Sequence, residues 1–223
     1  MMRATVSGRK PADPTRVRRP FLILVVLIAL AGCALVFKGL YIHAKAALAQ
    51  TLLETSFTRG IGKPEATRPW PWADFTTEAR LTARRLGKSD IVLSDAGGEA
   101  LAFGPALLGG TAKPGEAGTS VIAAHRDTHF RWLKDVRPGD LIDVTRRDGG
   151  SATFIVRSAR IAHSNASGID PHRDGYWMAL ATCWPFDAAQ RGPLRYIVDA
   201  ERVDDEATLR RVASTETGLI AAR

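Results

Sequence analysis

From Pro20 to Phe37 the chain reads "PFLILVVLIALAGCALVF", eighteen positions without a charge. At about 1.5 Å rise per residue, a helix of that length crosses the roughly 30 Å hydrocarbon core of a bilayer. The run predicts a transmembrane signal anchor over residues 20–40. Ahead of it stand Arg3, Arg9, Lys10, Arg16, Arg18 and Arg19 against one acid, Asp13. Positive charge marks the side that stays inside, so residues 1–19 read as a basic cytoplasmic tail and the rest of the chain faces outward.

Two other signals share this segment. Arg18-Arg19-Pro20-Phe21-Leu22 resembles a twin-arginine export signal, and Leu30-Ala31-Gly32-Cys33 resembles a lipoprotein cleavage box. The apolar run continues past Cys33 through Ala34, Leu35, Val36 and Phe37, where a cleaved lipoprotein turns polar. That continuation favours an uncleaved anchor. The formal net charge of +8 is concentrated in the tail, and nucleic-acid binding is excluded as the reading of it.

The anchor also decides how the cysteines are read. The chain has two, Cys33 and Cys183. With Cys33 in lipid, the outward-facing part carries a single thiol in a compartment that usually oxidises cysteines into pairs. Cys183 is therefore a nucleophile candidate.

After the anchor, "KGLYIHAKAALAQTLLETSF" has helical spacing and good helix formers, so the helix is expected to run on. Gly60, Gly62, Pro64, Pro69 and Pro71 break it, and Trp70 and Trp72 are expected to cover an apolar patch. Residues 41–74 thus read as a juxtamembrane helix and Pro/Trp linker.

Beyond residue 75 the texture changes. Short apolar or alternating runs, "ARLTARRL", "DIVLSD", "LAFGPALL", "TSVIAAH", "DLIDVTRR", "ATFIVRSARI", "MALATC" and "LRYIVDAERV", alternate with turn residues such as Lys113-Pro114-Gly115 and Asp148-Gly149-Gly150. Eight strands at this spacing predict a mainly β domain, a sandwich or barrel with short helices, over residues 75–203. Residues 204–223 read as a polar C-terminal tail.

Three residues fall at strand edges: His125 ends "TSVIAAH", Cys183 ends "MALATC", and Arg195 opens the last strand. A thiol nucleophile needs an imidazole partner to hold it as thiolate, and acyl transfer needs a donor to steady the oxyanion. Cys, His and Arg suffice for that chemistry. Asp127 is placed in the turn after His125, where it either orients the imidazole or caps the turn. His129, four residues after His125, has zinc-ligand spacing only on a helix, and this segment follows a strand, so no metal is expected. His163 and His172 flank a loop and are expected to be exposed.

The blocks "VIAAHRDTHFRWL" and "LATCWPFDAAQRGPLRYIV" resemble the sortases, membrane-anchored cysteine transpeptidases with a His ending one strand, Thr-Cys ending a later one and Arg opening the next. "YIHAKAALAQ", "WPWADF", "HRDTHF" and "TCWPFDA" further resemble the class GN sortases of Gram-negative bacteria, although Trp184 stands where that class often has Tyr.

The resemblance implies an eight-stranded sortase-type β-barrel that uses no cofactor. Cys183 would be the nucleophile, His125 its acid/base partner and Arg195 the residue that binds substrate and steadies the oxyanion. Arg191 is the rival for that last role. Thr182 would line the site and help form the oxyanion pocket, and Trp184 would wall the substrate groove or pack under the next loop. The implied partner is a secreted protein with an LPxTG-like C-terminal sorting signal, cleaved through a thioester and passed to an amine acceptor. The implied location is the inner membrane, with the catalytic domain periplasmic. Competing readings are a periplasmic cysteine peptidase and a non-catalytic, membrane-tethered β-domain.

Overall fold

A first helix, α1, runs without a break over Thr15–Gly60 in the computed structural model, which describes residues 15–188, 190 and 192–204. Its stretch from Leu22 is long and apolar enough to cross a membrane, and Leu22 to Phe37 are largely exposed. The helix stops at Gly60, where Gly62 takes a left-handed φ of 75°. Arg191 and residues 205–223 lie outside the described residues, as do 1–14.

Eight strands follow: β1 Thr77–Ala83, β2 Lys88–Leu93, β3 Ala106–Leu107, β4 Gly118–Ala123, β5 Leu141–Arg146, β6 Ser151–His163, β7 Tyr176–Cys183 and β8 Leu194–Val203. They close into a barrel in the order β1-β2-β3-β4-β7-β8-β6-β5, the eight-stranded barrel expected. Closure leaves no open sheet edge. Alternation explains the inside: in β1 Ala79, Leu81 and Ala83 are buried while the residues between them are half-exposed. Ile122, Met178, Leu180, Val198 and Ala200 join them in the interior cluster. Each fully buried Leu, Ile or Phe contributes about 1.5–3 kcal/mol relative to an exposed one.

A second cluster lies on the outer face of β2. Ile91 and Leu93 alternate with the interior Val92, and they pack with Leu53 and Phe57 of α1, Phe75 and Ala106. Leu53 and Phe57 are four residues apart and share one helix face. Covering β2 on both sides accounts for its continuous apolar run in the sequence.

Three elements differ from the expectation. "LAFGPALL" is not one strand: helix α2 spans Gly98–Phe103, and after Gly104-Pro105 only Ala106–Leu107 pair as strand β3. Leu101 and Phe103 pack against the second cluster, and that tertiary contact overrides their strand propensity. A short 3-10 helix at Arg131–Asp135, unmarked by periodicity, buries Trp132 and Leu133 in the interior cluster. Trp70 packs edge-on against Phe75 and Phe103, as an apolar cover should, but Trp72 is 78% exposed.

Candidate functional site

Register brings the site together. In the antiparallel pair β7 and β8, Cys183 stands directly opposite Arg195, and Ala181 opposite Ile197. Opposed residues share a face, with Cα atoms about 4.5–5.5 Å apart. In the parallel pair β4 and β7, Val121 pairs with Ala179 and Ala123 with Ala181. The Ala124 N–H continues that ladder to the Ala181 carbonyl at 3.2 Å, and His125, the next residue, lines the same groove as Cys183. His125 lies two residues past the last residue of β4, at the start of a turn rather than inside the strand.

Because side chains alternate, the odd-numbered residues of β4, β7 and β8 form one outer face while Ile122, Leu180 and Val198 fill the interior. That face floors a groove of about 320 Å³. Cys183, His125 and Arg195 line it together with the apolar Leu101, Leu108 and Ile169. Ile169 packs on Val121, Ala179 and Ile197 and closes the floor beneath the loop between β6 and β7.

Backbone contacts hold that loop in place. Thr119 donates its N–H to the Pro171 carbonyl at 3.0 Å and its hydroxyl to the Asp170 carbonyl at 2.7 Å. Gly118, with φ of 105°, meets the loop so closely that a Cβ would lie 2.8 Å from the Pro171 oxygen. Arg160 donates to the Ser167 carbonyl at 3.0 Å and pairs with Asp199. Burial, and then the charge of Arg173, draw Arg160 below the usual guanidinium range.

Cys183 is a free thiol, half-buried, and His125 is exposed. Nη1 of Arg195 donates to the Gly192 and Leu194 carbonyls, both at 2.9 Å, which braces the guanidinium against its own loop. Thr182 lines the groove, yet its hydroxyl donates to the Ala124 carbonyl at 2.7 Å in a buried setting. That bond ties the residue before His125 to the residue before Cys183.

Trp184 stacks on Tyr196 with ring centroids 5.7 Å apart and meets Phe186 edge-on at 5.6 Å. Burial in this cluster pushes the Tyr196 phenol above its ordinary pKa. Asp127 is exposed in the turn, which the Phe130 N–H closes onto the His125 carbonyl at 3.0 Å. His129 faces Asp90 of β2 at 3.2 Å, and the Trp132 indole N–H donates to the same carboxylate at 3.1 Å. His163 and His172 are exposed. The sequence reading passed over Arg126, which is 8% exposed; its only signal was a charged residue next to the candidate base.

A thiol, an imidazole and a guanidinium in one largely apolar groove can perform acyl transfer through a thioester.

Comparison with known proteins agrees with this architecture. Residues 81–203 match the Sortase family, described as the sortase domain. Over 90 residues the chain is 31% identical to Sortase D of Bacillus subtilis (strain 168), covering 40% of this chain and 46% of that protein. The match thus spans less than half the length of that relative. Sortase A from Corynebacterium diphtheriae superposes with a TM-score of 0.55 at 22% identity, over 72% of this chain and 86% of that one. The Sortase D5 transpeptidase of Clostridium perfringens gives a TM-score of 0.57 at 20% identity, over 70% and 99%. At these identities the structural likeness establishes the barrel.

Proposed function

Since this chain belongs to the sortase family, whose members are cysteine transpeptidases acting on secreted proteins with sorting signals, we propose that it is itself a membrane-anchored sortase. The observation that carries the reading is the juxtaposition: Cys183 opposite Arg195 on β7 and β8, with His125, in the turn just past β4, lining the same groove.

Cys183 attacks the carbonyl of a threonine-like residue in an LPxTG-like C-terminal signal, forming the S–C bond. Arg195 steadies the oxyanion. The C–N bond then breaks, and His125 gives its proton to the departing amine. An acceptor amine attacks the thioester, passes a proton to His125 and expels the thiolate, which restores the site. Thr182 holds the two strand ends together through Ala124, and Trp184 braces the loop behind Arg195.

The helix from residue 22, preceded by a basic tail, supports anchoring in an inner membrane through residues 20–40, with the catalytic domain periplasmic. Motif blocks such as "WPWADF" and "TCWPFDA" support placement in class GN. On this reading residues 75–203 are the catalytic unit.

The test incubates the detergent-solubilised full chain with the C-terminal peptide of a secreted protein encoded beside it. Mass analysis should find an acyl adduct on Cys183 that an added amine discharges, and none in Cys183→Ala. An adduct that water discharges as fast as amine would make the protein a peptidase. No adduct with any such peptide would end the proposal.

A further inference from the structure

We infer that Arg126 is a positioning residue that locks the His125 turn to the loop joining Cys183 and Arg195. The inference rests on the catalytic reading above and adds a residue to it. Arg126 is 8% exposed, yet its guanidinium forms no ion pair among the described residues. Nη2 donates to two carbonyls of the loop between β7 and β8, those of Ala188 at 2.5 Å and Gln190 at 2.9 Å, while Nη1 is buried without a hydrogen-bond partner. A buried guanidinium held by two neutral carbonyls and paired with no carboxylate among the described residues recovers only part of its lost hydration, so packing alone does not account for it.

What it joins accounts for it. Parallel pairing between β4 and β7 ends with the Ala124 N–H on the Ala181 carbonyl, one residue short of His125. Beyond that point the sheet no longer fixes the imidazole. The loop that Arg126 grips begins directly after Cys183 and ends where β8 starts, one residue before Arg195, so one side chain fastens the turn bearing the base to the loop that joins the strands of the nucleophile and the oxyanion donor. Both bonds leave one nitrogen, Nη2, whose two hydrogens serve the Ala188 and Gln190 carbonyls. Loss of that link leaves the groove floor intact and loosens only the distances among the reacting groups, where about 1 Å of misplacement costs on the order of 100-fold in rate.

The test needs no knowledge of the substrate. Iodoacetamide is applied to the full chain in detergent, and the adduct on Cys183 is followed by peptide mass so that Cys33 does not interfere. Thiol reactivity depends on the thiolate fraction, which an imidazole partner sets. His125→Ala and Arg126→Met are measured singly and together. The expected result is that each slows modification of Cys183 by about tenfold or more, and that the double variant is no slower than the slower single one, because both remove one coupling.

If Arg126→Met fails to fold, Arg126→Lys is measured in the same cycle, with an expected slowing of severalfold that is again non-additive with His125→Ala. Multiplicative effects would make Arg126 a purely structural residue and overturn the inference, as would unchanged reactivity in Arg126→Met while His125→Ala is slow. Unchanged reactivity in His125→Ala would instead overturn the catalytic reading, and this inference with it.

Discussion

Replacing Thr182 by Val tests whether one hydroxyl holds the two strand ends in place. Thr182 is 2% exposed, and its hydroxyl donates to the Ala124 carbonyl at 2.7 Å. Valine keeps the shape and removes the donor. The lost hydrogen bond is worth about 0.5–1.5 kcal/mol net, and leaving a buried acceptor unmatched raises the cost to about 1–3 kcal/mol. A shift of about 2–4 °C in Tm per kcal/mol for a domain of this size translates the central value into a fall of roughly 4–8 °C.

The assay is thermal unfolding of the full chain in detergent, followed by tryptophan fluorescence, with Thr182→Ser alongside. Serine keeps the donor and loses one buried methyl, about 0.8 kcal/mol, so it should melt above the valine variant. Thr182→Val should also slow alkylation of Cys183 severalfold, since the freed carbonyl precedes His125. A valine variant that melts within 1 °C of the parent, with unchanged thiol reactivity, would show that the hydroxyl holds nothing.

On the proposed mechanism Arg195→Lys should lower the transfer rate by about 100-fold with a smaller change in KM, because a point charge replaces a planar fork of donors; full activity in Arg195→Ala with loss in Arg191→Ala would reassign the role. Trp184→Ala removes one ring from the cluster over Tyr196. An absorbance titration in alkali should then find Tyr196 ionising at lower pH than in the parent, and an unchanged titration would show that other groups bury it. The Gly150 N–H, and then Arg146, hold the Asp148 carboxyl below its usual range. A folded pKa lower than the unfolded one stabilises at neutral pH, and that gain is lost as pH falls through the folded value. Asp148→Asn should therefore melt slightly lower than the parent at pH 7 and the gap should close in acid; a gap independent of pH would rule out the charge as its cause.

The strands were legible where a local pattern survives in the sequence. β1 alternates at every residue, and β7 and β8 begin and end close to the expected positions because turn residues bound them. β3 was not legible, since two residues carry no period, and α2 forms because Leu101 and Phe103 meet a surface made by distant residues. Trp72 looked like its neighbour Trp70, and only packing separates the covered ring from the exposed one. Within the site, the residue types of Cys183, His125 and Arg195 were readable as chemistry. The inward turn of the Thr182 hydroxyl followed from strand parity, and the grip of Arg126 on Ala188 and Gln190 crosses more than sixty positions.

By itself, then, the amino-acid sequence determined what depends on near neighbours along the chain: an uncharged segment long enough for a bilayer, alternating strands, a single thiol outside that segment and the residue types for acyl transfer. Tertiary structure decided what depends on pairing between distant segments: that Cys183 lies opposite Arg195, that the pairing of β4 with β7 brings the turn bearing His125 to the same end of the barrel, and that all three line one groove. A slip of one residue in either pairing would leave every local pattern unchanged and turn a reacting side chain to the opposite face.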